Sequence, residues 1–153
     1  MDFIEQLQAL AAKIGTLREK ILTEEATKQA FVLPFIQILG YEIWDPSEVI
    51  PEFTADVGIK KGEKVDYAIC RDGKPIILIE CKHCDANLEK ITATQLYRYF
   101  SVVAARVAVL TNGIIYKFYT DVDEPNKLDT KPFLTVNLSE LQDGNAAQLK
   151  LLT

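Results

Sequence analysis

Residues 65–82 read VDYAICRDGKPIILIECK, and this stretch decides the fold. Two apolar, β-branched runs flank an Asp-Gly turn, which predicts two neighbouring antiparallel strands. Side chains alternate along a strand, so Glu80 and Lys82 point to the side opposite Cys81. An apolar strand therefore ends in a charged pair on one face.

The length of the turn decides whether Asp66 joins this charged pair. A two-residue Asp72-Gly73 loop would send Asp66 to the opposite face, because it pairs even-numbered residues with odd-numbered ones. A three-residue loop over residues 71–73, with Gly73 left-handed, pairs even with even. It would bring Asp66 onto the face of Glu80 and Lys82. We predict the three-residue loop.

Three such groups on one face predict a metal-dependent hydrolytic site. An Asp and a Glu at the ends of adjacent strands supply the hard oxygen ligands that Mg²⁺ prefers. An adjacent Lys can orient or deprotonate a water molecule, or neutralise charge on a phosphate, while the metal stabilises developing negative charge. The structural alternative is a solvated salt bridge at a strand edge, which is worth little free energy.

The composition describes one globular domain over residues 1–153. A hydrophobic content of 48% in 153 residues is enough for a real core. No segment reaches the roughly 18 apolar residues that a membrane span needs, and the N-terminus lacks a signal-peptide pattern. Three cysteines do not suggest a disulfide framework. We therefore predict a cytoplasmic protein without membrane contact.

A formal charge of -5 argues against a general nucleic-acid coat protein, since non-specific binding depends on Lys and Arg. It does not exclude a nuclease, because metal-binding carboxylates lower the net charge. A local patch of Lys60, Lys61 and Lys64 precedes Asp66 and can hold a DNA backbone. The alternative for this patch is a solvated turn.

An amphipathic helix is predicted at the N-terminus, over residues 1–22. Its apolar seam has alternating spacings of four and three and consists of Phe3, Leu7, Leu10, Ile14, Leu17 and Ile21. We expect this seam to pack on the core of the same domain, although pairing with a second copy in a homodimer remains an alternative.

The catalytic core is predicted over residues 23–138. Thr23 can cap a second helix that ends near Leu39 before Gly40, with a kink at Pro34. Further elements are predicted as a strand from Val49, a helix over 85–103, a hairpin of strands 107–111 and 114–119 around Asn112-Gly113, and an edge strand over 133–138.

A short C-terminal helical segment is predicted over residues 139–153. Ser139 and Gln142 resemble a capping box, with an interruption near Gly144. The helical pattern continues to the last residue, so we expect a piece of a longer chain. Together the elements predict an α/β sandwich whose central mixed sheet is flanked by helices.

Four motifs, taken in order along the chain, resemble the PD-(D/E)XK nuclease superfamily. They are Glu24-Glu25-Ala26-Thr27-Lys28, Val65-Asp66, Glu80-Cys81-Lys82 and the Q-x-x-x-Y pattern of Gln95 and Tyr99. The chain is most similar to the N-terminal nuclease domain of type I restriction enzyme R subunits, over about Glu24 to Tyr119. Departures are Val65 in place of Pro and Lys28 in place of Arg, and neither removes a metal ligand.

The resemblance implies a restriction-endonuclease-like fold, a Mg²⁺ cofactor that Mn²⁺ can replace, and DNA as substrate. It implies that Asp66, Glu80 and the backbone carbonyl of Cys81 hold the metal, while Lys82 acts on the attacking water. Glu24 would position water or a second metal, and Gln95 would orient the site. The residues expected to contact DNA are Thr27, Lys28, Lys61, Lys64 and Tyr99. Expected partners are restriction-modification subunits or a larger parent chain.

Three other interpretations remain at this point. The same fold can serve as a catalytically silent DNA- or protein-binding module within a larger assembly. Gln95 and Tyr99 can be the polar flank of a core helix. Cys70, Cys81, His83 and Cys84 can form a zinc site, although three ligands within four residues are badly spaced for one tetrahedral ion. No P-loop motif is present, so the chain cannot translocate DNA by itself.

Overall fold

A six-stranded mixed sheet lies at the centre of the molecule. The structure, a computed structural model, describes residues 1–54, 64–91 and 93–153. The strands follow their chain order across the sheet, with β3 and β4 parallel and the other neighbours antiparallel. They are β1 (Val49–Phe53), β2 (Val65–Arg71), β3 (Lys74–Cys81), β4 (Val107–Thr111), β5 (Ile115–Tyr119) and β6 (Leu134–Asn137). The predicted α/β architecture is confirmed.

Helices cover both faces of this sheet. They are α1 (Phe3–Leu17), α2 (Glu24–Thr27), α3 (Leu33–Ile38), α4 (Thr94–Val102) and α5 (Asn145–Lys150). One core layer joins α1, α3 and α5 to the sheet, and a second layer joins α4 to the other face. Side chains that alternate along β2 and β3 therefore enter different layers, as alternation along a strand requires.

Helix α1 packs on the core of its own domain. Asp2 and Glu5 form a reciprocal capping box that fixes its start. Leu7, Leu10 and Ile14 of the predicted seam are buried in the core layer. This confirms that the seam packs within the domain.

A nearly continuous helical segment follows and begins where Thr23 caps α2. The irregularity expected at Pro34 takes the form of a π-helical turn, Lys28–Val32, in which the Leu33 N–H donates to the Lys28 carbonyl. The segment ends before Gly40, whose φ of 101° suits glycine.

The hairpin between β2 and β3 corrects the predicted loop. Arg71 pairs with Lys74, so the loop is the two-residue turn Asp72-Gly73, and both of its residues have positive φ. The ladder then shifts register, because Cys70 pairs with Pro75 whereas Ile69 pairs with Ile77. Ile76 is thus an extra residue in β3, and this bulge restores even-with-even pairing beyond it.

Two predicted helices differ from the observed ones. The helix predicted over 85–103 is a 3₁₀ turn, Leu88–Lys90, followed by α4, because Asn87 caps the short turn and the chain is extended at Ile91. At the C-terminus the Asn137 side chain, and not Ser139, caps a 3₁₀ turn (Leu138–Glu140), and α5 begins only after left-handed Gly144.

Two predicted strand features agree with the sheet. The strands on either side of Asn112-Gly113 form the antiparallel hairpin of β4 and β5, although β5 begins one residue later than expected. Strand β6 lies at the edge of the sheet, as predicted. Within the described ranges no helix is both long and apolar enough to cross a membrane.

Candidate active site

The register between β2 and β3 places Asp66 opposite Glu80. The strands are antiparallel and Tyr67 pairs with Ile79, so the residue before Tyr67 faces the residue after Ile79 across the ladder. The Cys81 N–H donates to Asp66 Oδ2 over 2.7 Å, which fixes that carboxylate against the end of β3. The predicted shared face is therefore confirmed, although through the bulge and not through a longer loop.

Glu80 is a buried carboxylate with one unpartnered oxygen. It is only 5% exposed, and its Oε2 atom has no hydrogen-bond partner among the described residues, a property it shares with the neutral Tyr116 hydroxyl. Burial raises the pKa of Glu80; the Lys82 charge opposes this rise, while the Asp66 and Glu24 charges add to it. A buried acceptor of this kind normally has a partner, so this oxygen is free to bind a ligand.

Helix α4 brings Gln95 to Glu80 from one side of the sheet. In the amide orientation that satisfies its hydrogen bonding, the Gln95 nitrogen donates to Glu80 Oε1 over 3.3 Å and to the Lys64 carbonyl over 3.0 Å. Gln95 therefore links the end of β3 to the residue before β2. This contact agrees with the orienting role that the sequence motif implies.

The start of α2 reaches the site from the other side. Glu24 is exposed, and its charge acts on both Glu80 and Cys81. Lys28 extends its ammonium to Asp66 Oδ1, 3.1 Å away, and to Glu25 Oε1, 2.5 Å away. Lys28 thus bridges one acid of α2, Glu25, and one strand carboxylate, Asp66.

Lys82 follows β3 and is half-buried beside these carboxylates. Its backbone N–H donates to the Thr111 carbonyl over 2.8 Å, which continues the sheet ladder past the last residue of β3. Within the described part of the chain its ammonium makes no hydrogen bond or ion pair. The ammonium can therefore act on a ligand at the site.

Two further residues hold the segment that follows Lys82. Thr27 Oγ1 accepts the Cys84 N–H over 3.1 Å, and the Asn112 amide donates to the Ala86 carbonyl over 3.0 Å. Gly113 lies against Thr27, since an added Cβ would approach Thr27 Cγ2 to 2.9 Å. The sequence named the Asn112-Gly113 turn only as a hairpin signal, and its role in fixing the site was missed.

Comparison with known families agrees with this geometry. Residues 23–133 match the model of the type I restriction enzyme R protein N terminus (HSDR_N), well over half of the chain. The chain belongs to this family. Searches of curated proteins and of solved structures gave no significant match.

Membership in the HSDR_N family gives the chain a restriction-enzyme context. The matched residues include the acidic start of α2, Asp66 on β2, Glu80 on β3 and Gln95 on α4. The groups that converge in space thus all lie within the family region. The resemblance read from the sequence motifs is confirmed at this level.

The structure corrects three of the predicted DNA contacts. Tyr99 is fully buried in the layer under α4, with its ring centroid 6.2 Å from that of Phe53, so it has no surface to offer DNA. Thr27 is also fully buried and holds the backbone at Cys84. Lys28 is 8% exposed and paired inside the molecule, so it does not face a DNA backbone.

Lys64 and Lys61 are the other two residues predicted to contact DNA. Lys64 is exposed, and its ammonium lies 3.4 Å from Glu52 Oε1. Lys61 lies outside the described residues, as does Lys60. Contact of Lys64 with DNA stays a prediction.

The donor set at the site fits a hard divalent cation. Asp66 and Glu80 offer carboxylate oxygens from adjacent strands, and Mg²⁺ typically takes one or two protein carboxylates. Each carboxylate oxygen has two lone pairs, so the contacts to Asp66 leave room for a ligand. The buried, unpartnered Oε2 of Glu80 is the observation that favours a cation here. A role for the Cys81 carbonyl stays a prediction.

The alternative zinc site does not assemble. Cys70 and Cys81 are buried in different core layers, on opposite faces of the sheet. Ligand atoms of His83, Cys84 and Asp85 lie within 4.8 Å of one another. However, the Asp85 N–H donates to His83 Nδ1 and His83 Nε2 contacts the Ile21 carbonyl, which occupies both ring nitrogens.

Proposed function

We propose that this domain is a Mg²⁺-dependent endonuclease of the PD-(D/E)XK superfamily, which hydrolyses phosphodiester bonds in DNA and accepts Mn²⁺ in place of Mg²⁺. The observation that carries the proposal is the buried Glu80 carboxylate, which lies opposite Asp66 and whose Oε2 atom has no partner among the described residues. Family membership supports it, because the matched region is the N terminus of a restriction enzyme R protein.

Each residue at the site has a role in this proposal. Asp66 and Glu80 hold the cation, which when bound supplies Lewis-acid chemistry that activates water and stabilises charge on the phosphate. The Lys82 ammonium orients the attacking water or neutralises the scissile phosphate. Gln95 keeps Glu80 in place by its hydrogen bond, and Glu24 positions water from the α2 side.

DNA would approach the end of the sheet where these residues meet. Lys64 is exposed there, directly before β2, and can contact the DNA backbone. Cleavage in the cell would take place within a larger restriction-modification assembly, formed with other subunits or with the remainder of a parent chain. This part of the proposal rests on the family alone.

Nicking of supercoiled plasmid DNA by the purified chain tests the proposal. We expect Mg²⁺- or Mn²⁺-dependent nicking that falls about 100-fold or more in Lys82→Ala, since a positioned acid-base group typically contributes that much. Lys74→Ala is the matched control. Lys74 is exposed at the opposite end of β3, roughly 25 Å away for a strand of this length, and should leave the rate unchanged.

The same assay distinguishes the silent module. DNA binding without nicking by the intact chain, in either metal, would favour a binding domain of this fold and overturn the nuclease proposal. Nicking that survives in Lys82→Ala would instead indicate a contaminating nuclease or a different set of catalytic residues.

A further inference from the structure

Lys28 places a buried positive charge at the candidate metal site. Its ammonium lies 3.1 Å from Asp66 Oδ1 and 2.5 Å from Glu25 Oε1. Its side chain lies over the Tyr67 ring, with the ammonium 6.0 Å from the ring centroid. The side chain of Glu25, in contrast, is largely exposed. Of the two carboxylates that contact this ammonium, Asp66 thus belongs to the site and Glu25 faces solvent.

We propose that Lys28 is a resident counter-cation that competes with a divalent cation for Asp66, and that Glu25 receives its ammonium when the divalent cation binds. The inference rests on the proposed function, because it takes Asp66 and Glu80 as the metal ligands. It goes further by assigning to two residues of α2 the control of metal affinity.

Charge repulsion gives the competition its direction. A divalent cation on Asp66 would lie a few ångströms from an ammonium that stayed in its present place, and like charges at such distances repel strongly in a partly buried site. Asp66 does not need Lys28 for its orientation, because the Cys81 N–H holds Oδ2 over 2.7 Å. Removing the lysine charge should therefore tighten metal binding.

Glu25 provides the position to which the ammonium can retreat. It lies one helical turn before Lys28 and already contacts the ammonium, so release of Asp66 breaks one contact and keeps the other. Without the Glu25 carboxylate, Asp66 is the one acidic partner that the described residues offer the ammonium. Its displacement then leaves a buried charge unpaired, which opposes metal binding.

Direct measurement of Mn²⁺ binding, by electron paramagnetic resonance of the unbound ion, tests this without reference to activity. We expect Lys28→Met to tighten Mn²⁺ binding about tenfold and Glu25→Gln to weaken it several-fold. In the Lys28→Met background, Glu25→Gln should have no further effect. A general loss of negative charge would persist in that background, so the double variant separates the two explanations.

Two controls accompany these variants. Lys117→Met removes another buried ammonium that lies two strands away from Glu80, about 10 Å across the sheet, and should leave Mn²⁺ affinity nearly unchanged. Asp66→Asn removes a proposed metal ligand, so the Mn²⁺ binding that it abolishes is the binding at this site. Lys28→Gln serves if the methionine variant does not fold, as judged by circular dichroism.

The outcomes separate the two proposals. If Asp66→Asn abolishes Mn²⁺ binding but Lys28→Met weakens it or leaves it unchanged, the counter-cation role is overturned and the metal site stands. If Lys28→Met tightens Mn²⁺ binding but Glu25→Gln leaves it unchanged, the role of Glu25 is overturned. If the intact chain binds no Mn²⁺, both the metal site and the counter-cation role are overturned. The same holds if the intact chain and Asp66→Asn bind Mn²⁺ with equal affinity.

Discussion

Two clusters of buried charge lie along one row of the sheet and are built differently. Lys117 on β5 is 9% exposed and pairs with one exposed carboxylate, Glu89, over 2.5 Å. Leu110 separates it from Glu80 in the ladder. On the far side of Leu110, Asp66 and Glu80 lie with Lys82 and the acids of α2, and Glu80 Oε2 has no partner among the described residues.

The difference is one of charge balance. The Lys117 pair is closed, because one buried cation meets one anion that water also solvates. The cluster around Glu80 is open, because among the described residues Glu24, Glu25, Asp66 and Glu80 outnumber Lys28 and Lys82 there. Surplus negative charge in a partly buried place costs stability unless a cation joins it. The Lys117 pair and the proposed metal site thus differ in charge balance although they lie on one sheet.

Glu80→Gln should give the largest effect. It removes a proposed metal ligand, so we expect nicking to fall about 100-fold or more. It also removes a buried charge, so the free energy of unfolding should rise by about 1 kcal/mol. Urea unfolding of the metal-free chain, together with plasmid nicking, measures both. A variant that lost activity and stability together would indicate that Glu80 is structural, as Lys117 is.

Glu89→Gln tests the closed pair and should cost about 2 kcal/mol of unfolding free energy, because it leaves the Lys117 ammonium buried without its partner. Lys117→Met should cost less, since the carboxylate left behind is exposed to water. Neither variant should change the nicking rate. Loss of nicking in either one would mean that the two clusters are coupled across Leu110.

Thr27→Val should have a smaller effect, of about 1 kcal/mol, because it leaves the buried Cys84 N–H without an acceptor while keeping the side-chain shape. It should also slow nicking a few-fold, since the Cys84 N–H follows Lys82 by two residues. Thermal unfolding and plasmid nicking measure the two effects. An unchanged rate with lower stability would show that the segment after Lys82 does not govern the site.

The smallest predicted effect concerns pH. Burial raises the pKa of Glu80, so the folded state binds this proton more tightly than the unfolded state does. The contribution of Glu80 to stability is therefore fully present below the unfolded pKa and is lost as pH rises through the folded pKa. Urea unfolding of the metal-free chain should show this loss above about pH 4.5, with a slope below about 1.4 kcal/mol per pH unit. Glu80→Gln should remove it, whereas an unchanged slope would place the effect elsewhere.

The sequence predicted the sheet and the residues that meet at its end, because their signals are local. Strand alternation fixes Glu80 beside Lys82, and the motif order gives Asp66 and Gln95 as their neighbours. The bulge at Ile76 could not be predicted, since it lies in a run of similar apolar residues and nothing in that run marks the extra one. The correct face was therefore predicted with the wrong loop.

The DNA contacts were predicted less well, because the depth of a side chain depends on layers that are distant in sequence. The motif does not show that Tyr99 packs against Phe53 or that Thr27 meets Cys84. Lys28 differs again, since it was expected to contact DNA and its ammonium is instead held by Asp66. Burial of this kind follows from the assembled fold.

The extra residue in β3 ties the chemistry of the domain to the length of its hairpin. With a two-residue turn, the present length of the chain between Asp66 and Glu80 brings them opposite each other only because Ile76 is left unpaired in the ladder. Deleting Ile76 would leave a regular two-residue hairpin in which the same residues still pair, so that Asp66 would remain opposite Glu80. We expect homologues whose hairpin is one residue shorter to lack the bulge and to keep the two carboxylates opposite each other.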